Sequence, residues 1–243
     1  MIIILMTKFT YDGKFNLILG CMWSGKSTEL IRRYYRYKLA GKKCLMVKYA
    51  KDIRYDDSRV VTHDNLQVDS ISCNYLYEID CDIVKYDVIC IDEIQFYKDA
   101  HIMVDKWANM GKIIEACGLN GTFDRKPWEV INKLIPLTEN ITFLKAICKE
   151  NGKNAVYTDK NVGIDRESVE DIGGIDKYCC VDRGLFYKNK QFYTKDKIIE
   201  FIAIFLQSKD IIINLFNIEK YVDKIDINNK IDLMEIAKNF QNF

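Results

Sequence analysis

The residues Gly20-Cys21-Met22-Trp23-Ser24-Gly25-Lys26-Ser27 fit the spacing G-x-x-x-x-G-K-[ST], and the chemistry of that spacing is a grip on a triphosphate. Glycines let the backbone curl until successive N–H groups point at the phosphates. The N-terminus of a following helix adds partial positive charge, Lys26 reaches the β- and γ-phosphates, and Ser27 offers a hydroxyl to Mg²⁺. A second constellation is the apolar run Val88-Ile89-Cys90-Ile91 ending in Asp92-Glu93. A strand that ends in carboxylates at the C-terminal edge of an open α/β sheet delivers them where ligands bind. Asp92 fits the acidic Walker B position in the Mg²⁺ shell, and Glu93 then points towards a nucleophile. Adjacent strand residues face opposite ways, so the two carboxylates are expected to serve different tasks. The nucleophile stays open at this point. If Glu93 orders a water, the chain is an ATPase; if it takes a proton from a substrate hydroxyl, a kinase; if it does neither, a nucleotide-binding relative without turnover. Lys26, Ser27, Asp92 and Glu93 standing together argue against the last, and no motor motif or nucleic-acid module supports the first.

Such residues need elements to hold them. Residues 15–19 read as an apolar strand and residues 27–39 as a helix, with Gly41 as its stop. Leu30, Ile31, Tyr34, Tyr35 and Leu39 recur in it at helical spacing. Between them Arg32, Arg33, Arg36 and Lys38 make a face expected to be solvated or to meet another subunit. Four more short runs, 44–49, 87–91, 112–119 and 141–147, have few interior charges and alternate with helical patterns such as 101–109, the mark of buried parallel strands. The fold class that follows is α/β, a doubly wound parallel sheet. Residues 149–174 carry Gly152, Gly163, Gly173 and Gly174 among polar residues; they read as a long loop between short strands, and long loops in compact domains are usually functional. Further on, residues 196–206 are helix-like and residues 211–218 very apolar. That cluster is too large to leave wet and is expected to pack on the core or in an oligomer interface.

Composition narrows the classes further. In 243 residues, 36 basic against 35 acidic side chains leave a net charge of +1, so there is no bulk pull towards a polyanion and nucleic acid is not expected as a partner. A hydrophobic share of 49% with only 2 Pro excludes a disordered chain. The apolar residues 2–6 are too few for a signal peptide or an anchor. The uncharged stretch 201–208 falls far short of the ~20 residues that span a bilayer, so no membrane partner is expected. The 9 cysteines, several inside apolar runs, read as reduced thiols of a cytoplasmic protein.

The residues around the two constellations resemble a family. Thr28-Glu29-Leu30-Ile31-Arg32-Arg33, Lys48-Tyr49-Ala50-Lys51-Asp52-Ile53-Arg54-Tyr55, Thr62-His63-Asp64, Asp92-Glu93-Ile94-Gln95-Phe96, Leu119-Asn120-Gly121-Thr122-Phe123-Asp124-Arg125-Lys126-Pro127-Trp128, Ala155-Val156-Tyr157-Thr158 and Ile172-Gly173-Gly174-Ile175-Asp176-Lys177-Tyr178 are similar, in order and spacing, to the type II thymidine kinases of animals, many bacteria and large DNA viruses. The resemblance runs from Gly13 to Tyr187. It implies a phosphate-loop NTPase-like sheet with a small β-rich lid, divided into a nucleotide-binding domain at 13–147 and a lid at 148–190; residues 191–243 read as a C-terminal helical extension of unknown role with no counterpart in the family. It further implies ATP and Mg²⁺ as cofactors, thymidine as substrate and a homo-oligomer, commonly a tetramer.

Roles follow residue by residue from the same resemblance. Glu93 is the general base for the 5′-hydroxyl, and Asp92 with Ser27 orders Mg²⁺. Asp52, Arg54 and Gln95 match positions flanking the phosphates. Phe96, Leu119, Phe123, Trp128 and Thr158 match positions around the base. Val169, Glu170, Asp171, Ile172 and Gly173 belong to a lid loop that grips thymine largely through backbone amides, with Tyr178 closing behind it. Aromatic walls suit a flat pyrimidine, and closure keeps out water that would hydrolyse ATP. Read without the family, Phe96, Phe123 and Trp128 are plain core aromatics, His63 a structural residue and His101 an exposed one.

One family feature is missing. Type II members usually carry a structural zinc on two Cys-x-x-Cys pairs. Here those positions hold Cys148 with Asn151, and Asp182 with Leu185, so three of the four thiolates are gone and no zinc is expected. Cys179 and Cys180 are adjacent and cannot easily present both sulfurs to one tetrahedral ion. Apolar packing of Val156, Tyr157, Val181, Leu185 and Phe186 is expected to hold the lid in place of the metal.

Overall fold

A computed structural model describes residues 12–52, 59–61, 67–161, 177–189, 195–208, 215–225 and 233–240. Arg54, His63 and residues 169–174 of the expected lid loop lie outside the described residues. The chain divides into two compact units, residues 1–183 and 184–243.

In the larger unit the order is β1 (Lys14–Gly20), α1 (Lys26–Leu39), β2 (Cys44–Tyr49), β3 (Arg59–Val61), β4 (Gln67–Asp69), β5 (Ile71–Cys73), β6 (Val88–Ile91), α2 (Ala100–Asn109), β7 (Ile113–Leu119), α3 (Glu129–Leu134), β8 (Asn140–Leu144), β9 (Ala146–Ile147), β10 (Asn154–Ala155), β11 (Tyr157–Lys160) and β12 (Tyr178–Val181). Six strands form one sheet in the order β5-β2-β6-β7-β1-β8, with every pairing parallel. The alternation along β6 shows how the sheet is covered. Val88 and Cys90 pack with Leu30, Ile31 and Tyr34 of α1, while Ile89 and Ile91 pack on the opposite face with Met103, Val104 and Trp107 of α2. A strand buried on both faces must be apolar at every position, which is why this run carries no polar residue.

The run 141–147, expected as one buried strand, is two. β8 is an edge strand with β1 as its neighbour, which leaves Ile141 and Phe143 half exposed. Past Lys145 the chain leaves the sheet, and β9 pairs antiparallel with β10. Strands also enter the stretch expected as a loop, since β11 pairs antiparallel with β12.

The basic face of α1 is not uniformly solvated. Arg33 turns inward: its guanidinium reaches Glu115 at 2.8 Å, Glu29 at 2.8 Å and the Thr142 hydroxyl at 2.8 Å. Glu115, buried in the middle of β7, also accepts from Asn16 Nδ2 at 2.8 Å and the Tyr37 hydroxyl at 3.0 Å. This network pins α1 to three neighbouring strands, β7, β1 and β8, just below the phosphate loop. His101, expected on the surface, is half-buried at the start of α2.

In the smaller unit α4 (Arg183–Asn189) starts at the boundary and is followed by α5 (Lys195–Gln207), α6 (Leu215–Val222) and α7 (Leu233–Phe240). Ile198, Ile202, Leu206, Ile218, Val222 and Ala237 bury one another, and the Tyr221 ring meets Phe240 edge-on at 5.2 Å. Of the apolar run 211–218, residues 211–214 lie outside the described residues, and Ile218 is buried in this helical cluster. Within the described residues no helix is long and apolar enough to cross a membrane.

Removing one partner of a buried ion pair leaves the other charge uncompensated, which typically costs about 3–5 kcal/mol. Glu115→Ala is expected to lower unfolding stability by that order, read as a shift in the urea midpoint. A midpoint within error of the parent would show that Arg33 finds solvent instead.

Candidate active site

The phosphate loop joins β1 to α1, and its shape is set by residues with no freedom to change. A Cβ on Gly20 would stand 2.3 Å from Ser24 Oγ and 2.7 Å from the Leu144 carbonyl. Gly25 has φ +80° immediately before α1, a left-handed conformation that glycine adopts at little steric cost. Inside the loop, Lys26 Nζ donates to the Cys21 carbonyl at 2.8 Å and Ser24 Oγ donates to the same oxygen at 2.9 Å.

Residues far along the chain hold the loop from outside. The Met22 N–H donates to Thr158 Oγ1 at 3.0 Å, Trp23 Nε1 to the Tyr178 carbonyl at 3.3 Å, and Cys21 Sγ to the Ala155 carbonyl at 3.4 Å. Met22, Phe123 and Tyr178 bury one another, with Trp23 and Leu119 against them. The β11–β12 hairpin thus fastens the loop. Burial pushes the Cys21 thiol up against the opposing pull of a backbone hydrogen bond and the Lys26 charge.

Asp92 and Glu93 diverge for a reason other than strand alternation. β6 ends at Ile91, and Glu93 takes φ 50°, ψ 47°, a left-handed turn that is costly for a side chain of this kind and characteristic of functional sites. Buried Asp92 points to the loop, where its Oδ1 accepts from Ser27 Oγ at 3.0 Å and from Cys117 Sγ at 2.8 Å. Burial above all, and then the Asp92 charge beside it, raises the Cys117 thiol well above the ordinary range. A serine hydroxyl and a carboxylate converging beside the lysine of the loop are hard oxygen donors, the set that suits Mg²⁺.

Half-buried Glu93 is held by Gln95. Gln95 Nε2 donates to Glu93 Oε2 at 2.7 Å, and Gln95 Oε1 accepts from the Leu119 N–H at 3.1 Å. Gln95, expected beside the phosphates, is buried with both ends of its amide engaged in this bridge. Asp52, just past β2, is buried as well, with its N–H on the Tyr49 carbonyl at 2.9 Å.

The residues expected around a base fall into three groups. Phe96 and Trp128 line a cavity of about 680 Å³ together with Tyr49 and Gln95; Phe96 stacks on Tyr49 at 5.1 Å and meets Trp128 edge-on at 5.7 Å. Leu119, Phe123 and Tyr178 pack with the phosphate loop. Thr158 lines a smaller cavity of about 230 Å³ with Asn120, Gly121, Thr122, Arg125 and Tyr157. Three further residues belong here that the sequence reading missed. Lys160 is buried with Nζ 4.6 Å from the Phe123 ring centre; it stands two residues after Thr158 on β11 and so on the same face, a signal that was readable. Tyr49 and Cys117 carried no such sign.

The positions of the family's zinc are joined differently. Asn151 Nδ2 donates to Asp182 Oδ2, and Cys148 and Leu185 are buried. Cys179 Sγ contacts the Asp159 carbonyl and Cys180 Sγ the Ile147 carbonyl; burial pushes both thiols up to about 11. Among the described residues no three His, Cys, Asp or Glu side chains cluster as metal ligands.

Comparison with known proteins gives a consistent result. The family model for thymidine kinase matches residues 13–186. The thymidine kinase of sheeppox virus is 48% identical over 175 residues, 72% of this chain and 97% of that protein. Human cytosolic thymidine kinase is 43% identical over 72% of this chain and 74% of its own length, and thymidine kinase 1 of Dictyostelium discoideum 42% identical over 72% and 78%. Among solved structures, domain III of the Thermotoga maritima replication initiation protein DnaA overlays with a TM-score of 0.34 at 13% identity over 97% of this chain and 86% of that one, too distant to bear on the site.

Because crowding a packed site by one methyl costs about 1–3 kcal/mol, Gly20→Ala is expected to distort the loop and weaken ATP binding by about tenfold. Calorimetric titration checks it: an unchanged dissociation constant would mean that the loop accommodates the methyl group.

Proposed function

We propose how the site residues divide the work in this chain, which belongs to the thymidine kinase family. It catalyses ATP-dependent phosphorylation of thymidine, moving the γ-phosphoryl of ATP to the 5′-hydroxyl and giving dTMP and ADP. The observation that carries the assignment is the Glu93–Gln95 bridge. Gln95 holds one carboxylate oxygen at 2.7 Å and so fixes the orientation of the carboxylate that is to take the proton of the 5′-hydroxyl as it attacks, the preorganisation a general base needs. The left-handed turn at Glu93 aims the group away from Asp92, so base and metal-shell carboxylate do not compete.

Gly20, Cys21, Met22, Trp23, Ser24, Gly25, Lys26 and Ser27 take the triphosphate on their N–H groups. Lys26 exchanges its bond to the Cys21 carbonyl for phosphate oxygens. Ser27 and Asp92 would hold Mg²⁺, which when bound neutralises charge on the β- and γ-phosphates. By the family resemblance Asp52 and Arg54, the latter outside the described residues, are assigned to flank the phosphates. Phe96 and Trp128 make one wall for the base, Leu119, Phe123 and Thr158 another, and Tyr178 backs residues 169–173, the loop that closes on thymine. In this reading residues 13–147 bind nucleotide, 148–190 form the lid and 191–243 are an extension that lies outside the residues matched by the family model. The family points to a homo-oligomer, a tetramer, with no nucleic acid and no membrane among its partners. The relative named cytosolic and the nine free cysteines support a place in the cytoplasm.

ADP release measured with and without thymidine tests the reaction itself: turnover is expected to depend on the nucleoside, and thymidine-independent turnover would make the chain an ATPase. Glu93→Gln is expected to keep ATP binding and lower the transfer rate by roughly 10²–10⁴; a variant turning over at the parent rate would remove Glu93 from the base's role. On the missing thiolates, the Asn151–Asp182 bond and the buried Leu185, we further infer that the protein carries no stoichiometric zinc. Metal analysis of protein purified without chelator checks this, and about one zinc per chain would overturn it.

A further inference from the structure

The central strands bring a residue that neither the phosphate loop nor the Walker B strand contains to the metal-shell aspartate. β7 lies between β6 and β1. Its register sets Ala116 beside Ile91 and Cys117 beside Ile18, so Cys117 comes level with Asp92 where β6 has just ended. The side chain is 1% exposed and sits among Ile18, Leu30 and Cys90 on the α1 face of the sheet. Its Sγ stands 2.8 Å from Asp92 Oδ1, the oxygen that also accepts from Ser27 Oγ at 3.0 Å.

The two donors differ in freedom. Ser27 is at the start of α1 beside the loop, and in the proposed reaction its hydroxyl serves the cation. The thiol of Cys117 is enclosed by strand and helix side chains, away from solvent. Packing alone does not call for sulfur here, since any small apolar side chain fills a strand position of this kind. A donor is what sulfur adds. We infer that Cys117 is a positioning residue: its thiol holds the Asp92 carboxylate in the rotation that takes up the divalent cation, and continues to hold it when Ser27 turns away. Partners of this kind around a metal ligand typically change metal affinity about 10–100-fold when removed. The inference rests on the assignment of Asp92 to the Mg²⁺ shell.

The test uses the full-length chain with Cys117→Ala, Cys117→Ser and Asp92→Asn, and reads Mn²⁺ binding in the presence of ADP by electron paramagnetic resonance, without turnover. Cys117→Ala is expected to weaken Mn²⁺ binding about tenfold and to raise the Mg²⁺ concentration for half-maximal activity by the same factor, with the KM for thymidine unchanged. Cys117→Ser, which restores a donor in nearly the same volume, is expected to bring both back to within about twofold of the parent. Parent-like Mn²⁺ binding in Cys117→Ala overturns the inference. So does a serine variant as weak as alanine, which would make the effect one of volume, or a KM for thymidine that rises with the Mg²⁺ requirement, which would make it general disturbance of the site. Asp92→Asn separates the two levels: if it keeps parent-like Mn²⁺ binding, the assignment of Asp92 itself falls and takes the inference with it, whereas loss of binding there with none in Cys117→Ala refutes only the role of the thiol.

Discussion

All six strands of the central sheet run the same way, and the chemistry depends on that. A parallel sheet needs a crossover between neighbours, so successive strand ends gather at one edge while the returning chain covers the faces. Gly20 ends β1, Asp52 follows β2, Asp92 follows β6 and Leu119 ends β7. Four points spread over a hundred residues of sequence thereby meet without any one loop having to reach far. The same geometry explains why the phosphate loop can be fastened from outside. Thr158, 136 residues after Met22, lies on the small β11–β12 hairpin, and one hydroxyl there fixes the loop's backbone.

What could be read from sequence was local. The phosphate loop declares itself because eight consecutive residues carry its geometry, and β2 and β6 because apolar residues cannot face water on either side. The break after β8 was hidden, since a sheet's edge is a property of the whole topology and residues 141–147 look equally apolar throughout. The turn at Glu93 was hidden too: a left-handed glutamate has no compositional sign, and the alternation argument presumed a strand that had already ended at Ile91. Cys117 escaped the sequence because its contact with Asp92 depends on which neighbours the sheet supplies, information absent from its own surroundings in the chain. Within the tail, the burial of Ile198, Ile202 and Leu206 against Ile218, Val222 and Ala237 depends on three helices meeting, which no single stretch of sequence declares.

The exchange at the family's zinc positions alters the energetics of the lid's base. A structural zinc contributes on the order of 10 kcal/mol to the fold it closes, and a side-chain hydrogen bond such as that between Asn151 and Asp182 about 1 kcal/mol. The β9–β10 and β11–β12 pairs therefore rely on their backbone ladders and on buried residues such as Ala155, Cys180 and Val181. On the proposed zinc-free reading, the lid gains independence from metal supply and gives up a stiff covalent-like anchor.

Lys26 makes a bond to the carbonyl of Cys21, within its own loop. The ammonium is thus neither drifting in solvent nor waiting to be desolvated when phosphate arrives. Ordering a residue's backbone costs about 1–2 kcal/mol, and for this loop that cost is met while the protein folds, through Ser24, Thr158 and Tyr178 as well as Lys26. In the proposed reading, capture of a triphosphate is a swap of acceptors on a scaffold already in shape. Little of the interaction energy goes into arranging the receptor, so affinity should fall chiefly on the enthalpy side, with a small entropic penalty from the protein.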